Sequence, residues 1–418
     1  MPNILSDRII AYFQPILSAD TKDVYGYEVL GRYIDDDGKV KSLRPFFSNP
    51  DISHEEALKM DRIVRTYALQ KYAEEKRGEY LFINIRLAWL VSYAEKPEEM
   101  ITLQLAEKFG ITPEKLVIEI TEEEFNANEE YIRSIIHYKK IGCRIALDDY
   151  GKRASNIDRL AKIQPDIIKI NMDYIHKSEE SSYYQEYLRY IAAFAETVGI
   201  EVLYEGVETQ RQLDMCISSK GRYYQGFLIG LPQPSMRDSL IQRSVFSASI
   251  EDAYNALQKR VISAESLRNS LDVQVERFLL ENPFDSEKTN SDVYLMKLFR
   301  ELPGLKRIYL CGRQGVQLSD NIERQSEDIV CRNYRNKNWA WRGYFHETIT
   351  AFAMGRKSCL SNLYRDFTTK EQMFTYCYAI KDNLLLFVDI TGISAIKTAD
   401  TAASGDIKTP PVTRTRKG

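Results

Sequence analysis

Arg144-Ile145-Ala146-Leu147-Asp148-Asp149 is a short apolar run closed by two adjacent aspartates. It has the length of a strand, and its apolar residues follow one another without alternation, as in strands covered on both faces. Similar runs lie on either side. Leu81–Ile85 reads Leu-Phe-Ile-Asn-Ile, Leu116–Thr121 reads Leu-Val-Ile-Glu-Ile-Thr, Asp166–Ile170 reads Asp-Ile-Ile-Lys-Ile, and Glu201–Glu205 reads Glu-Val-Leu-Tyr-Glu. Between them, Glu129–Ile141 and Tyr184–Val198 have helical spacing with charged faces. Strand–helix–strand alternation predicts an α/β fold with a parallel sheet. A (β/α) barrel is the leading architecture; a doubly wound open sheet fits the same periodicity.

Each run is interrupted or closed by a polar residue: Asn84, Glu119, Asp148 with Asp149, Lys169 and Glu205, with Glu28 in the earlier run Gly26-Tyr27-Glu28-Val29-Leu30. A buried carboxylate is costly unless a cation or donors offset it. One such residue would pass as a satisfied core group. A set drawn from separate strands needs a common cause, and barrel strands that converge on one site supply it. Carboxylates with one amide, and no His or Cys among them, favour Mg²⁺ or Mn²⁺ over Zn²⁺. The adjacent aspartates suggest two ions, the arrangement that stabilises both oxygens of an in-line phosphoester displacement. Lys169 could orient the attacking water, neutralise developing charge, or pair structurally with Asp148 or Glu119. Arg32, soon after Glu28, suits a phosphate.

At 418 residues the chain exceeds one ordinary core, so two domains are expected. A net charge of −3 argues against a bulk nucleic-acid surface. No run approaches the roughly 18 apolar residues of a membrane span, and Met1-Pro2-Asn3-Ile4 does not open a secretory signal. The scattered cysteines lack a CxxC pair and read as reduced thiols. A cytoplasmic location is expected. From Ile250 the spacing becomes helical: Ile250, Tyr254, Leu257, Val261, Ala264, Leu271, Val275 and Phe278 keep alternating steps of four and three, broken at Arg268. This stripe suits a long helix packing on a partner or on the barrel. Beyond it, Arg307–Cys311 with Gly315–Leu318, and Met373–Ile380 with Leu384–Ile390, read as antiparallel strand pairs. The expected division is residues 1–245 for the barrel, 246–290 for the helix, 291–396 for a smaller α+β domain and 397–418 for a disordered tail.

The segments Gln14-Pro15-Ile16, Tyr27-Glu28-Val29-Leu30-Gly31-Arg32, Ile83-Asn84, Ile118-Glu119-Ile120-Thr121-Glu122, Asp148-Asp149-Tyr150-Gly151, Lys169-Ile170-Asn171, Glu205-Gly206-Val207-Glu208-Thr209 and Gln225-Gly226-Phe227 occur in the order and spacing of the EAL family. The resemblance covers about residues 8–240. It implies a modified TIM-like (β/α)₈ barrel that hydrolyses cyclic di-GMP to linear pGpG with Mg²⁺ or Mn²⁺. It implies metal ligation by Glu28, Asn84, Glu119, Asp148, Asp149 and Glu205, with Lys169 beside the nucleophilic water. Gln14 and Arg32 match ligand-contacting positions, and Glu208 and Gln225 match supporting polar ones. Glu122 matches the glutamate that anchors the loop after the paired aspartates. That loop reads Asp-Asp-Phe-Gly-Thr-Gly-Tyr in the family, and here Lys152-Arg153-Ala154 replaces its last three residues.

The whole chain also resembles the YkuI type of EAL protein, with a PAS/Cache-like C-terminal domain, through Asn338-Trp339-Ala340-Trp341-Arg342, Tyr344-Phe345 and Leu363-Tyr364. Trp341, Arg342 and Tyr344 either line a pocket for a small ligand or pack a small core with Arg342 at its edge. Two readings stay open. One is a metal-dependent cyclic-di-GMP hydrolase, homodimeric and modulated by its C-terminal domain. The other is a receptor that binds the nucleotide, cleaves it poorly and signals to a partner. The full ligand set favours the first; the altered loop favours the second.

Overall fold

The computed structural model describes residues 6–391, except 91–92, 122–128, 152–156, 238–241, 286–288, 303, 326–327 and 382. Glu122, Lys152-Arg153-Ala154 and the tail therefore lie outside the described residues. The chain divides into two compact units, Met1–Tyr254 and Asn255–Gly418.

The first unit is a closed barrel. Its strands are β1 (Ile9–Ser18), β2 (Val24–Ile34), β4 (Tyr80–Asn84), β5 (Leu116–Thr121), β6 (Arg144–Tyr150), β7 (Ile167–Ile170), β8 (Glu201–Tyr204) and β9 (Tyr223–Tyr224), with β3 (Val40–Ser42) hanging from β2. The order runs from β1 through β9, β8, β7, β6, β5 and β4 to β2, and a β1–β2 pairing closes the ring. The pairs from β2–β4 through β8–β9 are parallel, whereas β1 is antiparallel to both neighbours. β1, which precedes the runs that predict the parallel sheet, is antiparallel for a simple reason. Ala19–Asp23 is long enough for a hairpin and too short for a crossover helix.

Inward-facing positions stack in two layers. Ile16, Phe82, Val117, Ala146, Ile167, Leu203 and Tyr223 form a dry layer. Side chains alternate across a strand, so the next inward position is two residues along. That rule gives Gln14, Asn84, Glu119, Asp148, Lys169, Glu205 and Gln225. The strands thus place one polar layer directly above one apolar layer. The apolar layer rests on Tyr25, stacked between Tyr80 and Tyr223 at ring distances of 4.5 and 4.1 Å. Outside the strands, a larger cluster including Leu81, Ile118, Ile145 and Ile168 packs under the helices.

The helix Arg243–Glu281 carries the stripe, and its halves differ. Leu267, Leu271, Val275 and Phe278 are buried in the core of the second unit. Tyr254, Leu257 and Val261 are 60, 54 and 62 % exposed. In the second unit β10 (Leu305–Gly312), β11 (Asn321–Gln325), β12 (Asp328–Arg332), β13 (Ser358–Leu360), β14 (Tyr364–Arg365), β15 (Gln372–Lys381) and β16 (Leu384–Thr391) form one antiparallel sheet. Its path is β12-β11-β10-β16-β15-β13, with β14 beside β15. The β15–β16 hairpin matches the sequence expectation. Gly315–Leu318 is not a strand. Gly312 N–H bonds back to Val316 at 2.8 Å and Gly315 takes a φ of 88°, so the chain turns there and leaves only isolated bridges. β10 pairs instead with β11 on one side and β16 on the other.

Candidate metal and nucleotide site

Gln14, Asn84, Asp148, Glu205 and Gln225 of the polar layer line a cavity of about 680 Å³ at the C-terminal ends of the parallel strands, while Glu119 and Lys169 of the same layer are fully buried and do not line it. Strand register sets the neighbours. Gln14 on β1 lies opposite Glu28 on β2, and Asn84 on β4 lies opposite Glu119 on β5. Asn84 Nδ2 donates to Glu28 Oε1 at 3.1 Å and to Glu119 Oε2 at 2.7 Å. Gln225 Nε2 donates to Glu28 Oε2 at 2.6 Å and to Gln14 Oε1 at 3.3 Å. The two amides therefore hold both oxygens of Glu28.

Lys169 stands at the centre and is fully buried, as is Glu119. Its Nζ lies 2.5 Å from Glu119 Oε1, 2.6 Å from Glu205 Oε1, 3.6 Å from Asp148 Oδ1 and 3.7 Å from Glu28 Oε2. One ammonium thus faces four carboxylates, with Asp149 a fifth close by. The imbalance shows in the proton affinities. Burial, against the pull of Lys169, pushes the Glu205 carboxyl up to about 8. Burial also raises Asp148 and holds Glu119 well above the usual carboxylate range, with repulsion from Glu28 adding to both. Burial opposes the charge on Lys169, but Asp148, Glu119, Glu205 and Glu28 outweigh it and hold the ammonium well above its ordinary value.

Adjacent strand residues normally face opposite sides, yet Asp148 and Asp149 face the same cavity. Asp149 adopts a φ of 57°, a left-handed conformation that Asp tolerates better than most residues. The β6–β7 register shifts between Leu147 and Tyr150 at this point. Asn171 Nδ2 donates to Asp149 Oδ1, while its own Oδ1 accepts from Asp173 N–H at 2.8 Å and caps the helix Met172–Glu180. Asp148, Asp149 and Glu205 consequently bring one oxygen each within 4.8 Å of the others. Gly226 keeps the neighbouring turn close, because a Cβ there would lie 2.1 Å from the Val207 carbonyl oxygen.

The structure brings Gln14, Glu28, Arg32, Asn84, Asp148, Asp149, Glu205, Glu208 and Gln225 to one cavity wall. Arg32 bonds the Gly31 carbonyl at 2.9 Å and lies over the Tyr12 ring. Glu208 is exposed at the rim. Sequence reasoning gave no role to Asn171, although an Asn between a strand and a helix is a recognisable cap. It also passed over Arg86, which lines the cavity, donates to the Phe47 carbonyl and lies over the Phe47 and Trp89 rings. Its position two residues beyond Asn84 was the available signal.

The EAL domain family matches residues 2–232 of this chain. The chain belongs to the EAL family. An EAL-domain associated signalling protein domain matches residues 243–394. Among relatives, the uncharacterized EAL-domain containing protein YkuI of Bacillus subtilis is 33 % identical over 92 % of this chain and 94 % of its own length. RocR of Pseudomonas aeruginosa, a cyclic di-GMP phosphodiesterase, is 26 % identical over 54 % of this chain and 57 % of its own. The crystal structure of B. subtilis YkuI in complex with its substrate c-di-GMP and calcium superposes with a TM-score of 0.84 at 30 % identity, covering 92 % of this EAL protein and 97 % of YkuI. Among the described residues of this EAL chain, no helix is long and apolar enough to cross a membrane.

Proposed function

We propose that the barrel hydrolyses cyclic di-GMP to linear pGpG with two divalent cations, Mg²⁺ or Mn²⁺, under the influence of the C-terminal domain. The observation that carries this reading is the surplus of carboxylates over the single ammonium of Lys169 in the polar layer. An all-oxygen donor set left with excess negative charge fits hard divalent cations. Glu28, Asn84, Glu119, Asp148, Asp149 and Glu205 would hold them. Asn84 directs its nitrogen at two carboxylates, which leaves its oxygen for a cation. When bound, such ions supply a water of lowered pKa and neutralise charge on phosphate oxygens.

The chain's own groups orient this machinery. Gln225 and Asn84 fix Glu28 from two sides, and Asn171 fixes Asp149. Lys169 keeps its proton at neutral pH, so it acts as a fixed positive charge beside Glu205 and not as a base. Arg32 retains N–H groups for a phosphate, and Gln14 and Glu208 border the nucleotide. The direct test is to incubate the purified protein with cyclic di-GMP and Mn²⁺ and to follow pGpG by chromatography. Turnover that stops with a chelator is expected; turnover indifferent to the chelator would refute the metal mechanism.

The sequence Lys152-Arg153-Ala154 supports a second reading, a receptor with little turnover. Restoring Thr-Gly-Tyr at these positions is expected to raise the turnover rate while leaving nucleotide affinity unchanged. A variant that binds more tightly at an unaltered rate would place the loop's influence on the nucleotide instead.

The exposed apolar residues Tyr254, Leu257 and Val261 support a homodimer. Light scattering should give twice the chain mass for wild type and the single mass for Leu257→Asp/Val261→Asp. A wild-type monomer at micromolar concentration would end this proposal.

A further inference from the structure

In the second unit, Arg342 sits among four aromatic rings. Its guanidinium carbon lies 4.5 Å from the Phe367 ring centre, 5.0 Å from Tyr364, 5.3 Å from Tyr344 and 5.3 Å from Trp341. Aromatic faces attract a cation, but they do not accept its N–H groups as a carboxylate does. Among the described residues, no carboxylate pairs with Arg342 and no acceptor receives its guanidinium N–H groups. Some other arginines of this unit differ, although Arg324 over the Phe299 ring and Arg365, bonded to the Lys370 carbonyl, also lack a carboxylate partner among the described residues. Arg307 pairs with Glu323 and Asp389, Arg332 with Glu323, and Arg335 with Asp292 and Asp320. Arg342 is partly exposed, so its free donors reach solvent.

The rings divide into two kinds. Tyr344 and Tyr364 form the inner wall, held by hydroxyl bonds to Tyr309 at 3.2 Å and Thr375 at 2.8 Å. Trp341 and Phe367 form the outer wall. They stack nearly parallel, with ring centres 6.0 Å apart, and remain 63 and 64 % exposed. Phe367 is presented by a turn in which Asp366 accepts from Thr368 N–H and Thr369 N–H at 2.9 and 2.8 Å. Two large exposed rings beside one unpaired guanidinium form an amphipathic platform: an apolar shelf with a positive fork at its edge. The helix Gly343–Ala353 also begins at Arg342 with no acid in its first turn, which adds to the local positive potential.

We propose that this platform binds a small organic monocarboxylate with a flat apolar body. The carboxylate would take the guanidinium fork in bidentate fashion, the geometry that arginine matches best. The body would cover the exposed faces of Trp341 and Phe367. A phosphate is disfavoured because a single guanidinium is present where a doubly charged anion calls for several donors. Occupation would bear on the sheet centre, because Tyr364 bonds Thr375 on β15 and Thr375 bonds Asp389 on β16 at 2.8 Å.

The experiment titrates the full chain with phenylacetate, with phenylacetamide as the neutral counterpart and inorganic phosphate as the other anion, reading tryptophan fluorescence and calorimetry. Saturable binding of phenylacetate is expected, at least tenfold tighter than either control. Arg342→Gln and Phe367→Ala should each weaken it tenfold or more, and Arg342→Lys should fall between because it keeps the charge without the fork. Phe367 is exposed, so its variant tests the platform even if an Arg342 variant folds poorly. The proposal is overturned if phenylacetate does not bind saturably at millimolar concentration, if phenylacetamide binds equally well, or if folded Phe367→Ala binds as wild type does.

Discussion

Lys169→Met should lower the stability of the metal-free barrel by about 3–5 kcal/mol, the scale of removing one partner from a buried ion pair. For a unit of this size that is a fall of roughly 6–20 °C in melting temperature. The loss comes from what Lys169 leaves behind. Glu28, Glu119, Asp148 and Glu205 lie within 3.7 Å of its ammonium, and only their protonation would then relieve their repulsion. The sign of the pH dependence follows. The carboxyls of Asp148, Glu119 and Glu205 are already raised, so acid neutralises them and the penalty shrinks. With Lys169 present Glu205 ionises as pH rises through about 8, whereas without that ammonium its carboxyl is pushed higher still, so the penalty grows on the alkaline side. Differential scanning calorimetry at pH 5.5 and 8.5, in chelator and in Mg²⁺, checks both parts. A penalty that ignores pH and metal would mean that Lys169 matters only as packing.

Glu205→Gln keeps size and shape and removes one charge. Turnover of cyclic di-GMP is expected to fall on the order of 10³-fold, the effect of losing one preorganised electrostatic contact to a developing charge. Glu205 is also one of the three carboxylates whose oxygens converge within 4.8 Å, so metal affinity should fall with it. Nucleotide affinity in Ca²⁺-free buffer should change much less, because Arg32, Gln14 and Glu208 also line the cavity and are untouched by the substitution. Single-turnover kinetics alongside calorimetric titration separate the two effects. Wild-type turnover in this variant would remove Glu205 from the metal site.

Much of the barrel was legible because its strands are buried on both faces and stand out as unbroken apolar runs. Leu116–Thr121 appears in the structure with the bounds read from the sequence. The rest was hidden for identifiable reasons. Tyr223-Tyr224 is too short to show a period. Asn321–Gln325 is mostly polar because it is only half covered, so β11 looks like a loop. The polar residues that break the runs pointed to the cavity floor, but contacts made by backbone geometry did not show. Nothing in Asp148-Asp149 announces that the second aspartate turns left-handed. The division of the helical stripe into a buried and an exposed half was equally silent, since Leu257 and Leu271 occupy equivalent places in the repeat.

The two stacked layers inside the barrel make strand length itself a chemical variable. Deleting a single residue from Leu116–Thr121 below Glu119 would shift the alternation by one and turn Glu119 out among the helices, with Ile120 brought to its place in the polar layer. Composition would hardly change, yet Lys169 would lose its 2.5 Å partner and the site one carboxylate. In descendants of this gene, insertions and deletions should therefore collect in the segments between strands, while Phe82–Asn84, Val117–Glu119, Ala146–Asp148, Ile167–Lys169 and Leu203–Glu205 keep their spacing even where their apolar members are exchanged.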